Sequence, residues 1–134
     1  MNIHESAEDY LETILILQER LGTVRSIDVV NEMNFSKPSI SIAMKRFREN
    51  GLIGMDAEGC IMLLPPGREI AERIYARHRM LTRFLALLGV CEKTAAEDAC
   101  KIEHDLSEES FEKICAYVLR EEGAASKGEE ETVL

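Results

Sequence analysis

The chain has 134 residues, 46% of them hydrophobic and 31% charged, which suits one ordinary globular domain or two small ones sharing a core and excludes a disordered chain. No run approaches the roughly 18–20 apolar residues of a membrane span, and the opening Met-Asn-Ile-His-Glu lacks a basic-then-apolar leader, so a cytoplasmic protein with no membrane partner is expected. The net charge of −9 argues against a nucleic-acid binder until its distribution is read: residues 1–79 carry 10 basic and 12 acidic groups, whereas residues 80–134 carry 6 and 13.

Taken in chain order, a first helix is predicted from a Ser6 cap with Asp9 at the capping-box position. Tyr10, Ile14, Leu17 and Leu21 give it a buried face. Gly22 ends it. A second helix starts near Ser26, turns Ile27, Val30 and Met33 inward, and stops near Asn34. A third starts at Ser36, with Pro38 in its first turn, where a missing N–H costs little. Its buried stripe is Ile40, Ala43, Met44 and Phe47, and Asn50-Gly51 closes it.

Leu52–Met55 and Cys60–Leu64 are short apolar runs around Asp56-Ala57-Glu58-Gly59, which reads as a β-hairpin. Pro65-Pro66-Gly67 breaks the chain before a long helix from about Arg68 to Leu88, striped with Ile70, Ile74, Leu81 and Leu85. Thr94 with Glu97 caps a short helix reaching His104. Ser107 caps a last helix reaching about Arg120. The tail, 122–134, has no apolar period and is expected to be disordered and acidic. The four cysteines (60, 91, 100, 115) show no CxxC pair and are expected to be thiols.

Two short helices around a tight turn, followed by a hairpin, make a winged helix-turn-helix. Such a motif lays its second helix in the major groove of DNA. Without its buried stripe, the third helix presents Ser36, Lys37, Pro38, Ser39, Ser41, Ile42, Lys45 and Arg46 outward. Between Ser36 and Asn50, Lys37, Lys45, Arg46 and Arg48 face only Glu49, a net of +3, so a local basic face exists within an acidic chain. Serines suit phosphates or base edges, the basic residues suit phosphates, and Ile42 with Pro38 suits thymine methyls. The plain alternatives are a scattered surface apolar residue at Ile42 and a winged helix used for protein contacts.

Metal-type side chains flank this motif. Asp9 and Glu12 project the same way from one helix, although a solvated acidic face would look alike. His78 continues the inward stripe of the long helix, as a hydrogen-bonded core histidine also would. Cys100, Glu103 and His104 share one helical face next to Ala96 and Ala99, and burying two of them without partners would be costly. A divalent cation resolves that cost. Carboxylates suit Mn²⁺ and Fe²⁺, and a thiolate shifts preference toward Fe²⁺, Co²⁺ or Zn²⁺. Read as an enzyme, Cys100 and His104 would share one rigid turn with no oxyanion device, so no catalytic function is expected.

Four segments carry a family likeness: Glu8-Asp9-Tyr10-Leu11-Glu12, Phe35-Ser36-Lys37-Pro38-Ser39-Ile40-Ser41, Arg77-His78-Arg79-Met80-Leu81, and Cys100-Lys101-Ile102-Glu103-His104-Asp105-Leu106-Ser107. With them the chain resembles the diphtheria toxin repressor / manganese transport regulator family, in its short form without the SH3-like domain. The resemblance implies a mainly α fold: a winged helix-turn-helix over residues 1–72, an all-helical metal-binding and dimerisation domain over 73–121, and the tail over 122–134. It implies a homodimeric, metal-dependent repressor on a palindromic operator of double-stranded DNA, controlling metal-ion uptake or homeostasis genes. The implied ligands are Asp9, Glu12, His78, Cys100, Glu103 and His104, and the implied corepressor is Mn²⁺ or Fe²⁺. Position 100 is Cys, as in the iron type, while Asp9 is as in the manganese type; Thr82 and Ala96 stand at two ligand positions of the iron type's ancillary site. The remaining reading is a winged-helix regulator of a non-metal input. The dimer contact is expected from Phe111, Ile114, Val118 and Leu119.

Overall fold

The computed structural model describes residues 3–133, with side chains over residues 7–124. Its elements are α1 (Ile3–Leu21), α2 (Ser26–Met33), α3 (Lys37–Glu49), β1 (Ile53–Met55), β2 (Ile61–Leu63), α4 (Pro65–Leu87), α5 (Glu92–Ile102) and α6 (Glu108–Val133). The chain divides into two compact units, one through Tyr75 and one from Ala76, and the division falls inside α4.

The first unit folds around hydrocarbon. α1 contributes Tyr10, Leu11, Ile14, Leu15 and Leu17; α3 contributes Ile40, Met44 and Phe47; Val24, Val29, Ile53, Ile61, Leu63 and Ala71 complete the cluster. The Tyr10 ring meets Phe35 and Phe47 edge-on, at 5.8 and 5.6 Å between centroids. α1 starts at Ile3, so Ser6 lies inside the helix instead of capping it. In α2 the fully buried residue is Val29, while Ile27, expected inward, is exposed. The face is rotated because Val29, Val30 and Met33 pack on the cluster, a choice that eight residues with three β-branched side chains leave open.

The turn from α2 to α3 is built from local polar chemistry. Asn34 takes a left-handed φ of 57°, which ends α2. Ser36 then caps α3, its Oγ accepting from Ser39 N at 3.2 Å, with Pro38 in the first turn. The antiparallel hairpin pairs Ile53 with Leu63, Gly54 with Met62 and Met55 with Ile61. Val24 bridges to Ile61, tying the α1–α2 connection to the hairpin. Its turn hangs on Asp56, whose Oδ1 accepts from Glu58 N and Cys60 N, both at 2.9 Å. α4 begins at Pro65, not after the Pro65-Pro66-Gly67 triplet, because prolines fit the first turn of a helix. Gly67 is required there, since a Cβ would collide with the Leu52 carbonyl.

The second unit comprises the rest of α4, α5 and α6. Its buried apolar residues, among those described, are Leu81, Ala95, Ala99 and Val118, and Phe84 meets Tyr117 edge-on at 5.8 Å. Val118 is thus core, whereas Leu87, Leu88 and Leu119 stay exposed. α5 starts after Cys91, earlier than the Thr94 cap expected, and ends at Ile102. Ser107 caps α6 as read from sequence, its Oγ accepting from Ser110 N at 3.1 Å. α6 does not stop near Arg120: it continues to Val133 in place of the disordered tail. Glu, Ala and Lys are strong helix formers that need no apolar period, and Arg83 holds Glu122 by a two-nitrogen ion pair. All four cysteines are free. Among the described residues no helix is long and apolar enough to cross a membrane.

Candidate metal centre and nucleic-acid interface

In the second unit, α4 supplies His78, the end of α5 supplies Cys100, and the turn after α5 supplies Glu103; their ligand atoms all lie within 4.8 Å of one another. Glu103 Oε2 is 3.0 Å from His78 Nδ1, and Cys100 Sγ is 3.6 Å from that same nitrogen. A catalytic relay needs thiol and carboxylate on different ring nitrogens. Convergence on one nitrogen makes a nest of donors instead.

Glu103 is 0% exposed, and its Oε1 accepts no hydrogen bond, with His104 Nε2 3.5 Å away. A buried carboxylate oxygen in this state is costly. Hydrogen bonding to Cys100, then to Glu103, pushes the His78 imidazole up to about 10, against burial, which lowers it. An incoming cation competes with a proton for His78 Nδ1. An imidazole, a thiol and a carboxylate oxygen with no donor of its own form a set that a divalent transition metal fits.

The geometry corrects two expectations. Glu103 and His104 lie past the end of α5; Glu103 still reaches Cys100 because it keeps helical dihedrals, φ −57° and ψ −25°, while His104 Nε2 lies 3.5 Å from the other Glu103 oxygen. Cys100, read as sharing the face of Glu103 and His104, is exposed, while the neighbouring Ala95 and Ala99 are buried. Asp9 and Glu12 belong to α1 of the first unit, Asp9 half-buried and Glu12 buried.

Sequence reasoning passed over Arg77. It is 8% exposed, and its Nη1 donates to the carbonyls of Glu103 (3.1 Å) and Leu106 (2.7 Å) while its Nη2 meets Glu108 Oε2 at 2.8 Å. The signal was present: Arg77 sits three residues after Ile74 and four before Leu81 on the buried stripe, where a charge must find partners.

On α3, Ser36, Lys37, Pro38, Ser39, Ser41, Ile42, Lys45 and Arg46 are all exposed, and so is Arg48, which lies one turn beyond Lys45. Ile42 is 63% exposed, the most exposed large apolar side chain described. Ser36 Oγ also donates to Ser39 Oγ at 2.9 Å, so part of this polar face is occupied by the cap.

Sequence models described as the N-terminal DNA-binding domain and the metal-binding and dimerisation domain of iron-dependent repressors match residues 2–59 and 65–121. The chain is 31% identical to the transcriptional regulator MntR of Salmonella typhimurium over 113 residues, covering 84% of this chain and 72% of that one. It belongs to the iron-dependent repressor family. This repressor is also 32% identical to the HTH-type transcriptional regulator MntR of Geobacillus kaustophilus, covering 81% of this chain and 77% of the relative. It is 33% identical to an uncharacterised HTH-type regulator of Methanocaldococcus jannaschii, covering 82% and 90%. Among solved structures, it is similar to a manganese-dependent transcriptional repressor in complex with manganese, at TM-score 0.77 and 28% identity, over 84% of this chain and 52% of that one. The manganese regulator SloR gives TM-score 0.73 at 26% identity, over 84% and 53%. The repressor thus spans about half the length of those solved chains. It is a metal-dependent transcriptional repressor with a winged helix-turn-helix DNA-binding domain and a helical metal-binding and dimerisation domain.

Proposed function

We propose that this repressor takes a divalent ion of the Mn²⁺/Fe²⁺ class as corepressor and binds a palindromic operator as a homodimer in the cytoplasm, controlling metal-uptake genes. It acts as a regulator and not as a catalyst. The carrying observation is the buried Glu103 carboxylate, with one oxygen on His78 and the other accepting no hydrogen bond. His78, Cys100, Glu103 and His104 would hold the ion, joined by Asp9 and Glu12 from α1. When bound, the ion would supply positive charge beside the Glu103 oxygen that accepts no hydrogen bond.

The chain's own residues then divide the work. His78 gives up its proton to become a ligand, and Cys100, at the rim, is the donor an ion meets from solvent. Recruiting α1 ties the DNA-binding unit to the dimerisation unit. That limits the two recognition helices of the dimer toward a separation of about 34–36 Å, one turn of DNA. Lys37, Lys45 and Arg46 engage phosphates, Ser36, Ser39 and Ser41 phosphates or base edges, and Ile42 with Pro38 thymine methyls. Leu87, Leu88 and Leu119 are apolar residues left for the second copy. Metal-free protein samples other separations and binds weakly, a shift of populations.

The test is a DNA-binding titration on random and palindromic duplexes with chelator, Mn²⁺, anaerobic Fe²⁺, Co²⁺ and Zn²⁺ in parallel. Binding that requires one or two of these ions supports the reading. Binding indifferent to chelator would leave a winged-helix regulator of another input.

A further inference from the structure

We propose that Arg77 is the positioning residue of the metal centre: its guanidinium fixes the turn that carries Glu103 and His104. The inference rests on the metal-site reading above and deepens it.

Glu103 and His104 lie outside regular helix, so α5 alone does not hold them. The turn's own backbone bonds are Glu103 N to Ala99 O and Asp105 N to Ile102 O, both 3.0 Å. These leave the carbonyls of Glu103 and Leu106 to be met from elsewhere. One Arg77 nitrogen meets both, holding the backbone at Glu103 itself and again three residues further on. The second nitrogen reaches Glu108 at the start of α6, and the Phe111 ring lies against the guanidinium at 5.0 Å from its centroid. Arg77 immediately precedes His78. The same turn of α4 therefore presents one metal ligand and grips the backbone of another, so the spacing of His78 to Glu103 is set by one rigid element. A lysine keeps the charge but has no planar fork to span two carbonyls and a carboxylate together.

The experiment titrates Co²⁺ into the full chain, because bound Co²⁺ reports its coordination geometry by visible absorption. Arg77→Lys is expected to weaken Co²⁺ binding by roughly 10- to 100-fold, the usual effect of losing a group that orients a ligand, and to change the absorption bands. Glu108→Gln removes only the exposed ion-pair arm and is expected to change affinity by no more than about threefold. Circular dichroism of the metal-free proteins checks the fold. If Arg77→Lys does not fold, Arg77→Gln, which keeps a single amide donor, takes its place with the same expectation. Unchanged affinity and bands in the Arg77 variant, or a loss no larger than that of Glu108→Gln, would overturn the proposal while leaving the metal centre standing. Wild-type protein that takes up no Co²⁺ would overturn the metal centre itself and the clamp with it.

Discussion

The two units are stabilised by different chemistry. Among the described residues, fifteen of the buried hydrophobic side chains belong to the first unit and four to the second. The first unit buries one charged residue among those described, Glu12, while the smaller apolar set of the second accompanies buried Arg77 and Glu103 and the His104 side chain, which is 2% exposed. Apolar burial contributes about 25 cal/mol per Å² without any ligand, so the DNA-reading unit needs no ion to form. Buried ionised groups lose hydration and regain it only through well-placed partners. A fold whose reader is built on hydrocarbon and whose sensor is built on buried charged groups separates what is constant from what is conditional.

The contrast can be broken most severely at Glu103. Glu103→Ala is expected to abolish metal-stimulated DNA binding with the helical content retained, read by fluorescence anisotropy of a labelled duplex and circular dichroism; surviving stimulation would remove this carboxylate from the site. At the other pole, Leu11 is 0% exposed in the hydrocarbon cluster. Leu11→Ala should cost about 2–5 kcal/mol of stability with or without metal, measured by urea unfolding in chelator and in Mn²⁺. A cost that disappeared with metal would mean the first unit is not self-sufficient.

Metal held at 100 times its dissociation constant should add about 2.7 kcal/mol of stability. Hydrogen exchange should show the added protection concentrated around His78, Cys100 and the turn at Glu103; protection confined to the α2–α3 region would invert the comparison. The smallest effect is expected on the DNA face. Lys45→Ala should weaken binding to all sequences and lower the slope of log affinity against log salt by roughly 0.9, and an unchanged slope would place Lys45 off the phosphates.

Much of this was legible in the residues, and unevenly so. α3 was readable in full because its signals are local: Ser36 caps, Pro38 sits in the first turn, and Ile40, Met44 and Phe47 repeat at helical spacing. In α2, Val30 and Met33 pack inward as read, but Ile27 was taken in place of Val29, because the two are equally apolar and only packing on α1 and α3 chooses between them. The start of α4 was misplaced by reading Pro65-Pro66 as a break when prolines also open helices. Cys100, Glu103 and His104 were picked out by their spacing and His78 by its stripe, yet the exposure of Cys100 and the helix end before Glu103 depend on how α5 meets the turn. The end of α6 was misread because a run of Glu, Ala, Ser and Lys signals either solvation or helix, and the Arg83 ion pair that reaches Glu122 is 39 residues away in sequence.

Gly67 bears on how variants of this repressor are interpreted. Its missing side chain lets the first turn of α4 pass against the Leu52 carbonyl at the entry to the hairpin, so any replacement must displace backbone. Such a variant would fail to repress in a living cell while touching neither an ion nor a base. A genetic screen for constitutive expression would return it beside Glu103 variants with the same phenotype, and only the abundance of folded protein would tell a broken scaffold from a deaf sensor.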